Sequence, residues 1–347
     1  MQSVIRLAMC VMVLLGAPHL AHAQVTTADP ATTTTANEGR VTFGVLTFLQ
    51  YGYELHEQDN FNAFDITRGY LDVTGRLSDR IKVRFTTNVQ RTTDASLDAN
   101  LAARLEYAYL QAQWTPARTF FFGMQETPWL TFEESINRYR VQGTMFSERE
   151  SLIPGPSDLG AGLLWKRPSF EIHGGVYNGE GYGRAELDKE KSVQARGTAT
   201  VYSANAGESR VRVSGFYSYG WYAEDRPRNV GIFMASYESP HVVATAQYLS
   251  ATDNPFVVTD LERQGLSFFG EARMGKTGWA GIGRVDLFNP DADREGDDMR
   301  RYIFGGAHWS QLQHGRVGFV ATLEQVFRAR DGQKTESRLL VQTQVEF

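Results

Sequence analysis

Long segments in which apolar and polar residues alternate constrain this chain more than any other feature. In the segment 335–347, one face of an extended strand carries a mostly apolar set: Leu339, Val341, Thr343, Val345 and Phe347. The other face carries Leu340, Gln342, Gln344 and Glu346. One face therefore suits an apolar medium and the other suits water, which is typical of a strand between two such environments.

Similar patterns fill the chain from Arg40 to Phe347 without a visible boundary, in about sixteen segments that are mostly 10 to 13 residues long. Short turns such as 78–80 alternate with longer connections such as 92–102. A soluble sandwich shows the same alternation in any single strand, but its strands average only about 5 to 6 residues. The pattern therefore predicts an all-β fold, a transmembrane antiparallel β-barrel of about sixteen strands covering residues 40–347, with both chain ends on the short-turn side.

The first residues have the organisation of an export signal. Arg6 precedes an apolar run from Leu7 to about Ala17, and small residues flank a cleavage site near Ala23. We expect residues 1–23 to be a signal peptide and residues 24–39, rich in Thr and Ala, to be a flexible periplasmic N-terminal segment. Export of a barrel predicts the outer membrane of a Gram-negative bacterium as the location.

Composition excludes several other classes. Cys10 is the single cysteine and lies in the predicted signal, so the mature chain has no disulfide. No apolar stretch after the signal is long enough for a spanning helix. The net charge of −5 argues against nucleic acid as a partner, because nucleic-acid binders usually carry a basic excess.

Aromatic residues cluster near the predicted strand ends, where rings commonly form girdles at the level of the lipid headgroups. This predicted set is Tyr51, Tyr53, Trp114, Phe120 to Phe122, Tyr217, Tyr219, Trp221, Tyr222, Trp309 and Phe347. Ordinary packing is the alternative for about half of them. The final Phe347 also resembles the aromatic signal by which the barrel-assembly machinery recognises its substrates, so we expect it to act in assembly.

The charged residues of the predicted strands belong to the polar face, because Lys or Arg facing lipid costs about 2 to 4 kcal/mol at mid-membrane. The predicted pore-lining cations are Arg68, Arg76, Lys82, Arg84, Arg104, Arg196, Arg210, Arg212, Arg273, Arg284, Arg316 and Arg338. The acidic set is smaller: Asp72, Glu106, Glu171, Glu271, Asp286, Glu324 and Glu346. A net-basic lumen predicts a preference for anions. The alternative is that the arginines pair with these carboxylates and only brace the wall.

The longest irregular segment runs from Glu126 to Asp158 and is the third long external loop. Its length and its apolar residues, among them Trp129, Phe132 and Phe146, predict that it folds into the lumen as a constriction. The candidate constriction residues carry both charge signs: Glu126, Glu133, Glu134, Arg138, Arg140 and Arg149. Arg138, Arg140 and Arg149 are the candidates for anion contact.

Four motifs between Gly123 and Gly181 carry a more specific resemblance: GMQETPW, FSERESL, SDLGAGL and GGVYNGEG. Together they resemble the phosphate-selective porin O and P family. That resemblance implies a sixteen-stranded, trimeric, anion-selective channel whose third loop narrows the pore. The chain departs from the family pattern at Glu126, where the family usually has a lysine.

The predicted function is therefore a porin, a passive diffusion channel of the outer membrane that prefers small anions such as phosphate. The expected partners are those anions, outer-membrane lipid and lipopolysaccharide, the barrel-assembly machinery and two further copies in a homotrimer. No cofactor or metal is predicted, and the histidines lack a recognisable serine partner, so we expect no enzyme. A porin without anion selectivity and a non-transporting adhesin or assembly barrel remain as alternatives.

Overall fold

A computed structural model describes residues 40–55, 61–92, 100–186, 189–221, 226–254, 261–329 and 334–347. The predicted signal peptide, residues 1–23, and the predicted flexible segment, residues 24–39, lie outside the described residues. Within the described parts, no helix is both long and apolar enough to cross a membrane.

The described chain contains sixteen strands, which account for most of its residues. They are β1 Val41–Glu54, β2 Asn62–Arg76, β3 Ile81–Arg91, β4 Leu101–Thr115, β5 Arg118–Glu126, β6 Ser157–Lys166, β7 Phe170–Tyr177, β8 Ser192–Ala204, β9 Ser209–Trp221, β10 Pro227–Glu238, β11 Val242–Asp253, β12 Leu261–Arg273, β13 Trp279–Asn289, β14 Met299–Leu312, β15 Gly315–Arg328 and β16 Lys334–Glu346. Two short helices, α1 Leu130–Ile136 and α2 Phe146–Arg149, lie between β5 and β6.

The strands form one closed antiparallel barrel in which each strand pairs with its neighbours in sequence. Pairing of β1 with β16 closes the ring, and Val45 and Phe347 exchange two backbone hydrogen bonds of 2.8 and 3.0 Å at this seam. The prediction of a sixteen-stranded antiparallel barrel is confirmed. Strand β12 begins at Leu261, and its charged residues Glu262 and Arg263 pair in register with Thr252 and Ala251 of β11 although they interrupt the apolar alternation.

The two faces of the strands differ as the alternation predicts. Large apolar side chains such as Phe43, Phe122, Phe233 and Phe304 are exposed on the outer face. In β16, Gln342 and Gln344 are buried on the opposite face. The polar face therefore lines the interior of the barrel, and the apolar face surrounds it.

Trp309 departs from the predicted girdle of aromatic residues. Its indole Nε1–H donates to the Tyr139 hydroxyl at 3.3 Å, and the Arg138 guanidinium lies 4.7 Å from its ring centroid. The ring also lies over Gly318 of β15, where an added Cβ would come within 2.4 Å of it. The girdle prediction is wrong for Trp309, because its position near a strand end did not reveal that it shares the inner face with Ala307.

Candidate functional site

The segment 127–156 connects β5 to β6, and we call it the β5–β6 loop. Its buried apolar residues are Trp129, Leu130, Phe132, Ile136, Tyr139, Val141, Met145, Phe146, Leu152 and Ile153. They join inward-facing residues of strands β9 to β15 in one hydrophobic core, among them Phe216, Ile232, Met234, Leu249, Phe269, Phe288 and Met299. Part of the barrel interior is therefore packed like the core of a soluble domain.

Glu271 of β12 holds the middle of the β5–β6 loop. Its carboxylate accepts hydrogen bonds from the Arg138 guanidinium at 2.5 Å and from the Tyr139 hydroxyl at 2.8 Å. Arg273 of the same strand donates to its second oxygen at 2.8 Å. The Glu271 side chain is 0% exposed, so two guanidiniums share one buried carboxylate.

Glu324 of β15 holds the second half of the loop in the same way. Arg149 of α2 pairs with its carboxylate at 3.3 Å, and the Gln142 amide donates to it at 3.3 Å. Two wall arginines, Arg301 and Arg338, also pair with Glu324, at 3.3 and 3.0 Å. Because one buried carboxylate pairs with three guanidiniums, the loop and the barrel wall belong to a single ion-pair network.

A third cluster lies on the side of the loop that faces β2. Arg140 pairs with Glu134 at 3.3 Å and also with Glu148, and Arg68 of β2 pairs with Glu148 at 3.5 Å. All four side chains are largely buried. The loop is thus joined by charged contacts to strands on both sides of the barrel.

A cavity of about 420 Å³ lies between α1 and the short-turn end of the barrel, and we call it the short-turn cavity. Of the predicted site residues, its lining includes Arg84, Arg138, Arg140, Arg210, Arg273, Arg316, Glu126, Glu134 and Phe347. Apolar residues including Leu46, Phe48, Tyr70 and Tyr107 complete the wall on the β1 to β4 side. Charged groups of both signs therefore face one cavity.

Other predicted site residues lie elsewhere. Buried under the loop, Arg196 donates to the Pro128 carbonyl oxygen at 2.7 Å and pairs with Glu171. Arg284 pairs with Asp286 and donates to the Thr144 carbonyl oxygen. Arg212 pairs with Glu238, and Glu133 accepts a hydrogen bond from Trp129. Most of these side chains therefore hold the loop or brace the wall.

Three predicted cations lie away from these clusters. Arg76 and Lys82 are paired in register across the short-turn ends of β2 and β3, and Arg76 is exposed. Arg104 of β4 lies near Gly183 in the connection between β7 and β8, where an added Cβ would be 3.5 Å from its guanidinium. Among the described residues, no three His, Cys, Asp or Glu side chains are placed to hold a metal ion.

Glu238 of β10 is a site residue that the sequence analysis missed. It lines the short-turn cavity and pairs with both Arg210 and Arg212 at 2.6 Å. The signal was available, because Met234, Ser236 and Glu238 continue the inner alternation of β10 to its end.

Burial raises the pKa of Glu134 to about 7, although the nearby Arg140 opposes the rise. Glu134 is therefore mostly ionised at pH 8 and mostly neutral at pH 6, so acidification makes the cavity wall more positive. If the cavity conducts ions, we expect chloride preference in a planar bilayer to be larger at pH 6 than at pH 8. Glu134→Gln should reduce this pH dependence.

Glu133 provides the matched control for this prediction. Burial raises the pKa of Glu133 to about 7 as well, but this carboxylate accepts a hydrogen bond from Trp129 and is not among the residues that line the cavity. Glu133→Gln should keep the pH dependence of the reversal potential. Equal behaviour of the two variants would contradict the assignment to Glu134.

No family model matches the chain, and no curated protein matches it. The resemblance to the phosphate-selective porin O and P family therefore stays a prediction. Solved structures do match. An anion-selective porin from Comamonas acidovorans is 10% identical with a TM-score of 0.63, and the match covers 88% of this chain and 99% of that one.

Two further solved structures are also similar in fold at low sequence identity. OprB from Pseudomonas putida is 9% identical with a TM-score of 0.65, covering 88% of this chain and 94% of that one. OmpT from Vibrio cholerae is 11% identical with a TM-score of 0.60, covering 91% and 100%. At such low identities the likeness shows the fold alone: this chain has the closed barrel fold of the outer-membrane porins.

Proposed function

We propose that this protein is a passive diffusion channel of the outer membrane, a porin without a catalytic step. The observation that carries the proposal is the closed sixteen-stranded barrel with an apolar outer face and a cavity lined by charged residues inside. A barrel of this strand number leaves room for an aqueous path unless something fills it. The β5–β6 loop is the proposed constriction of that path.

For selectivity, we propose a modest preference for small anions, phosphate among them. The wall carries many arginines, but Arg84, Arg138, Arg210 and Arg316 each pair with a carboxylate, which reduces the field available to a passing ion. Glu126 pairs with Arg84 at 2.8 Å and lines the same cavity. The alternative considered from the sequence, in which the arginines pair with carboxylates and only brace the barrel wall, therefore applies to some of the predicted pore-lining arginines.

The test is the reversal potential of the purified protein in a planar bilayer under a KCl gradient. We expect chloride preference, and we expect Arg138→Gln to lower it because a guanidinium that lines the cavity is lost. Arg80→Gln, in the exposed turn between β2 and β3, should leave the reversal potential unchanged. Cation preference in the unmodified protein would contradict the selectivity proposal and leave the channel proposal intact.

A second candidate function is a barrel that does not transport. The observation that favours it is the hydrophobic core between the β5–β6 loop and strands β9 to β15, which fills part of the interior. Absence of any conductance, both in the unmodified protein and in variants that loosen the loop, would favour this candidate over the channel.

We further propose that the protein forms a homotrimer in contact with outer-membrane lipid and lipopolysaccharide. We also propose that the barrel-assembly machinery recognises Phe347. A structure of the OmpT protein from Vibrio cholerae is described as a trimer form, which supports the proposed stoichiometry. Phe347 is 59% exposed beside the seam of the barrel. Mass measurement of the detergent complex tests the trimer, and slower outer-membrane assembly of Phe347→Ala tests the signal.

A further inference from the structure

We propose that the outer face of the barrel, at the short-turn end of β5, β6 and β7, binds the headgroup of an anionic phospholipid through Arg118. We call the surface formed by Arg118, Trp165, Arg167 and Phe170 the β5–β7 rim. The proposal goes beyond the channel function, because it concerns the outside of the wall and not its interior. It requires that the barrel spans a membrane, but it does not require that the barrel conducts.

Arg118 lies where the apolar outer face of β5 ends. It is the first residue of that strand, directly after the short turn from β4, and it is exposed. Phe120 and Phe122 follow on the same face and are 41% and 63% exposed. A guanidinium on the lipid side is strongly unfavourable at mid-membrane and nearly neutral at the interface with water. The order of these three residues therefore places Arg118 at the level of the headgroups.

Aromatic rings of the adjacent strands support this guanidinium. Arg118 pairs in register with Trp165 of β6, and its guanidinium carbon lies 5.5 Å from the centroid of the indole ring. Phe170 of β7 packs edge-on against the same indole, with 5.0 Å between the ring centroids. The attraction between a cation and an aromatic face restrains the guanidinium. Because Arg118 is exposed, its N–H donors remain available to a ligand.

No carboxylate of the described residues forms an ion pair with Arg118, unlike many arginines of the inner face. Glu171, near the start of β7, belongs to the inner alternation and pairs with Lys166 and Arg196. Arg167, in the turn between β6 and β7, is exposed and adds a second positive charge to the rim. The described part of the rim therefore carries positive charge that the chain itself does not neutralise.

A lipid phosphate fits this arrangement in both depth and chemistry. Arginine binds a phosphate group through two parallel hydrogen bonds, which its planar guanidinium is shaped to donate. Below the headgroup, acyl chains would contact Phe120 together with Leu163 of β6 and Ile172 of β7, which are 43% and 44% exposed. The rim thus offers a cation at the interface and an apolar surface directly beneath it.

The charge of the rim favours an anionic phospholipid over a zwitterionic one. Basic residues at a membrane surface attract anionic lipids, with about 1 kcal/mol for each Lys or Arg. Phosphatidylglycerol brings one negative charge to the rim. Phosphatidylcholine brings the same phosphate together with a trimethylammonium group, which would find no carboxylate beside Arg118 and would be repelled by Arg167. Phosphatidylglycerol is therefore the probe, and phosphatidylcholine is the comparison.

The experiment is native mass spectrometry of the full-length protein released from detergent micelles, after titration with dioleoyl phosphatidylglycerol or dioleoyl phosphatidylcholine. The readout is the dissociation constant of the first bound lipid. We expect phosphatidylglycerol to bind about fivefold more tightly, the effect of one basic residue at an anionic surface. Glycerol 3-phosphate, which has the phosphate but no acyl chains, should not displace it. Because no conductance is measured, this proposal and the channel proposal can fail separately.

Variants then assign the contact to Arg118. Arg118→Gln should remove most of the preference for phosphatidylglycerol. Lys276→Gln is the matched control, because it removes one positive charge from an exposed turn at the same end of the barrel, between β12 and β13. It should leave the preference unchanged. Retained heat-modifiable mobility on gels identifies folded variants.

Four outcomes would overturn the proposal. Equal affinities for the two lipids in the unmodified protein would remove the anionic site. Equal losses of preference in Arg118→Gln and Lys276→Gln would show a general effect of charge. Displacement by glycerol 3-phosphate would make the rim a site for free phosphate. A changed number of subunits in Arg118→Gln, with lipid affinity unaltered, would assign Arg118 to a contact between copies of the chain.

Discussion

Replacing Glu324 with glutamine is expected to release the second half of the β5–β6 loop while leaving the barrel closed. The Glu324 carboxylate is 2% exposed and pairs with Arg149, Arg301 and Arg338. Its loss removes a counter-charge from the buried guanidiniums of Arg149 and Arg301. Removing one partner of a buried ion pair costs about 3 to 5 kcal/mol. Arg301 keeps Glu150 at 3.5 Å, but Arg149 of α2 has Glu324 as its carboxylate partner in the described network.

Limited trypsin digestion in detergent measures this release directly. Arg138, Arg140 and Arg149 are largely buried within the loop, and trypsin reaches them only when the loop leaves the wall. Fragments that begin at Tyr139, Val141 or Glu150, identified by mass spectrometry, should appear at least tenfold faster in Glu324→Gln. Retained heat-modifiable mobility on gels would show that the barrel itself persists.

Glu346→Gln is the matched control. Glu346 of β16 pairs with Arg316 at 2.6 Å, faces the same interior and is 16% exposed, but its partner belongs to the wall and not to the loop. Its substitution should leave the rate of loop cleavage unchanged. Equal cleavage rates in both glutamine variants and the unmodified protein would show that Glu324 does not hold the loop.

The sequence predicted the barrel well because its signal is local and repeated. Each strand carries its own alternation, so an error of one residue would move every side chain of that strand to the wrong face. The assignment of Gln342 and Gln344 to the interior needed nothing beyond the strand itself. Trp309 was assigned to the wrong face because it lies near a strand end. Its position two residues after Ala307 in the alternation of β14 places it on the inner face.

The candidate site could be predicted only in part because its contacts are not local. The sequence identified the arginines and most of the inner carboxylates, yet which ones meet depends on the path of the β5–β6 loop. Glu271 lies 133 positions from Arg138, and Glu324 lies 175 positions from Arg149. No periodicity links such positions. The alternation could not show that inner positions such as Leu249 and Phe288 form an apolar core with the loop.

Truncating Phe146 to alanine tests the apolar half of the same attachment, and we expect an effect as large as that of Glu324→Gln. Phe146 is fully buried in α2, its ring lies edge-on to Phe288 at 6.1 Å, and it fills the space over Gly265. A Cβ at Gly265 would approach the ring to 2.5 Å, so the glycine admits the ring. Loss of a buried phenylalanine side chain costs about 3 to 5 kcal/mol.

Phe233→Ala is the control for this truncation, because Phe233 of β10 is 55% exposed on the outer face and belongs to no part of the loop core. In trypsin digestion, Phe146→Ala should expose the loop arginines and Phe233→Ala should not. If the loop constricts a channel, single-channel conductance should also rise in Phe146→Ala. Unchanged cleavage would mean that the ion network alone holds α2.

The double variant Glu324→Gln with Phe146→Ala tests whether the polar and apolar contacts hold the loop cooperatively or independently. Phe146 and Arg149 belong to the same helical turn, so release of either contact exposes the other. Residues in one contact network show non-additive effects, whereas distant and independent sites add. The decrease in the free energy of loop opening caused by both substitutions should therefore be smaller than the sum of the two single decreases. Full additivity would instead show that the polar and apolar contacts hold different parts of the loop, which would then open in separate steps.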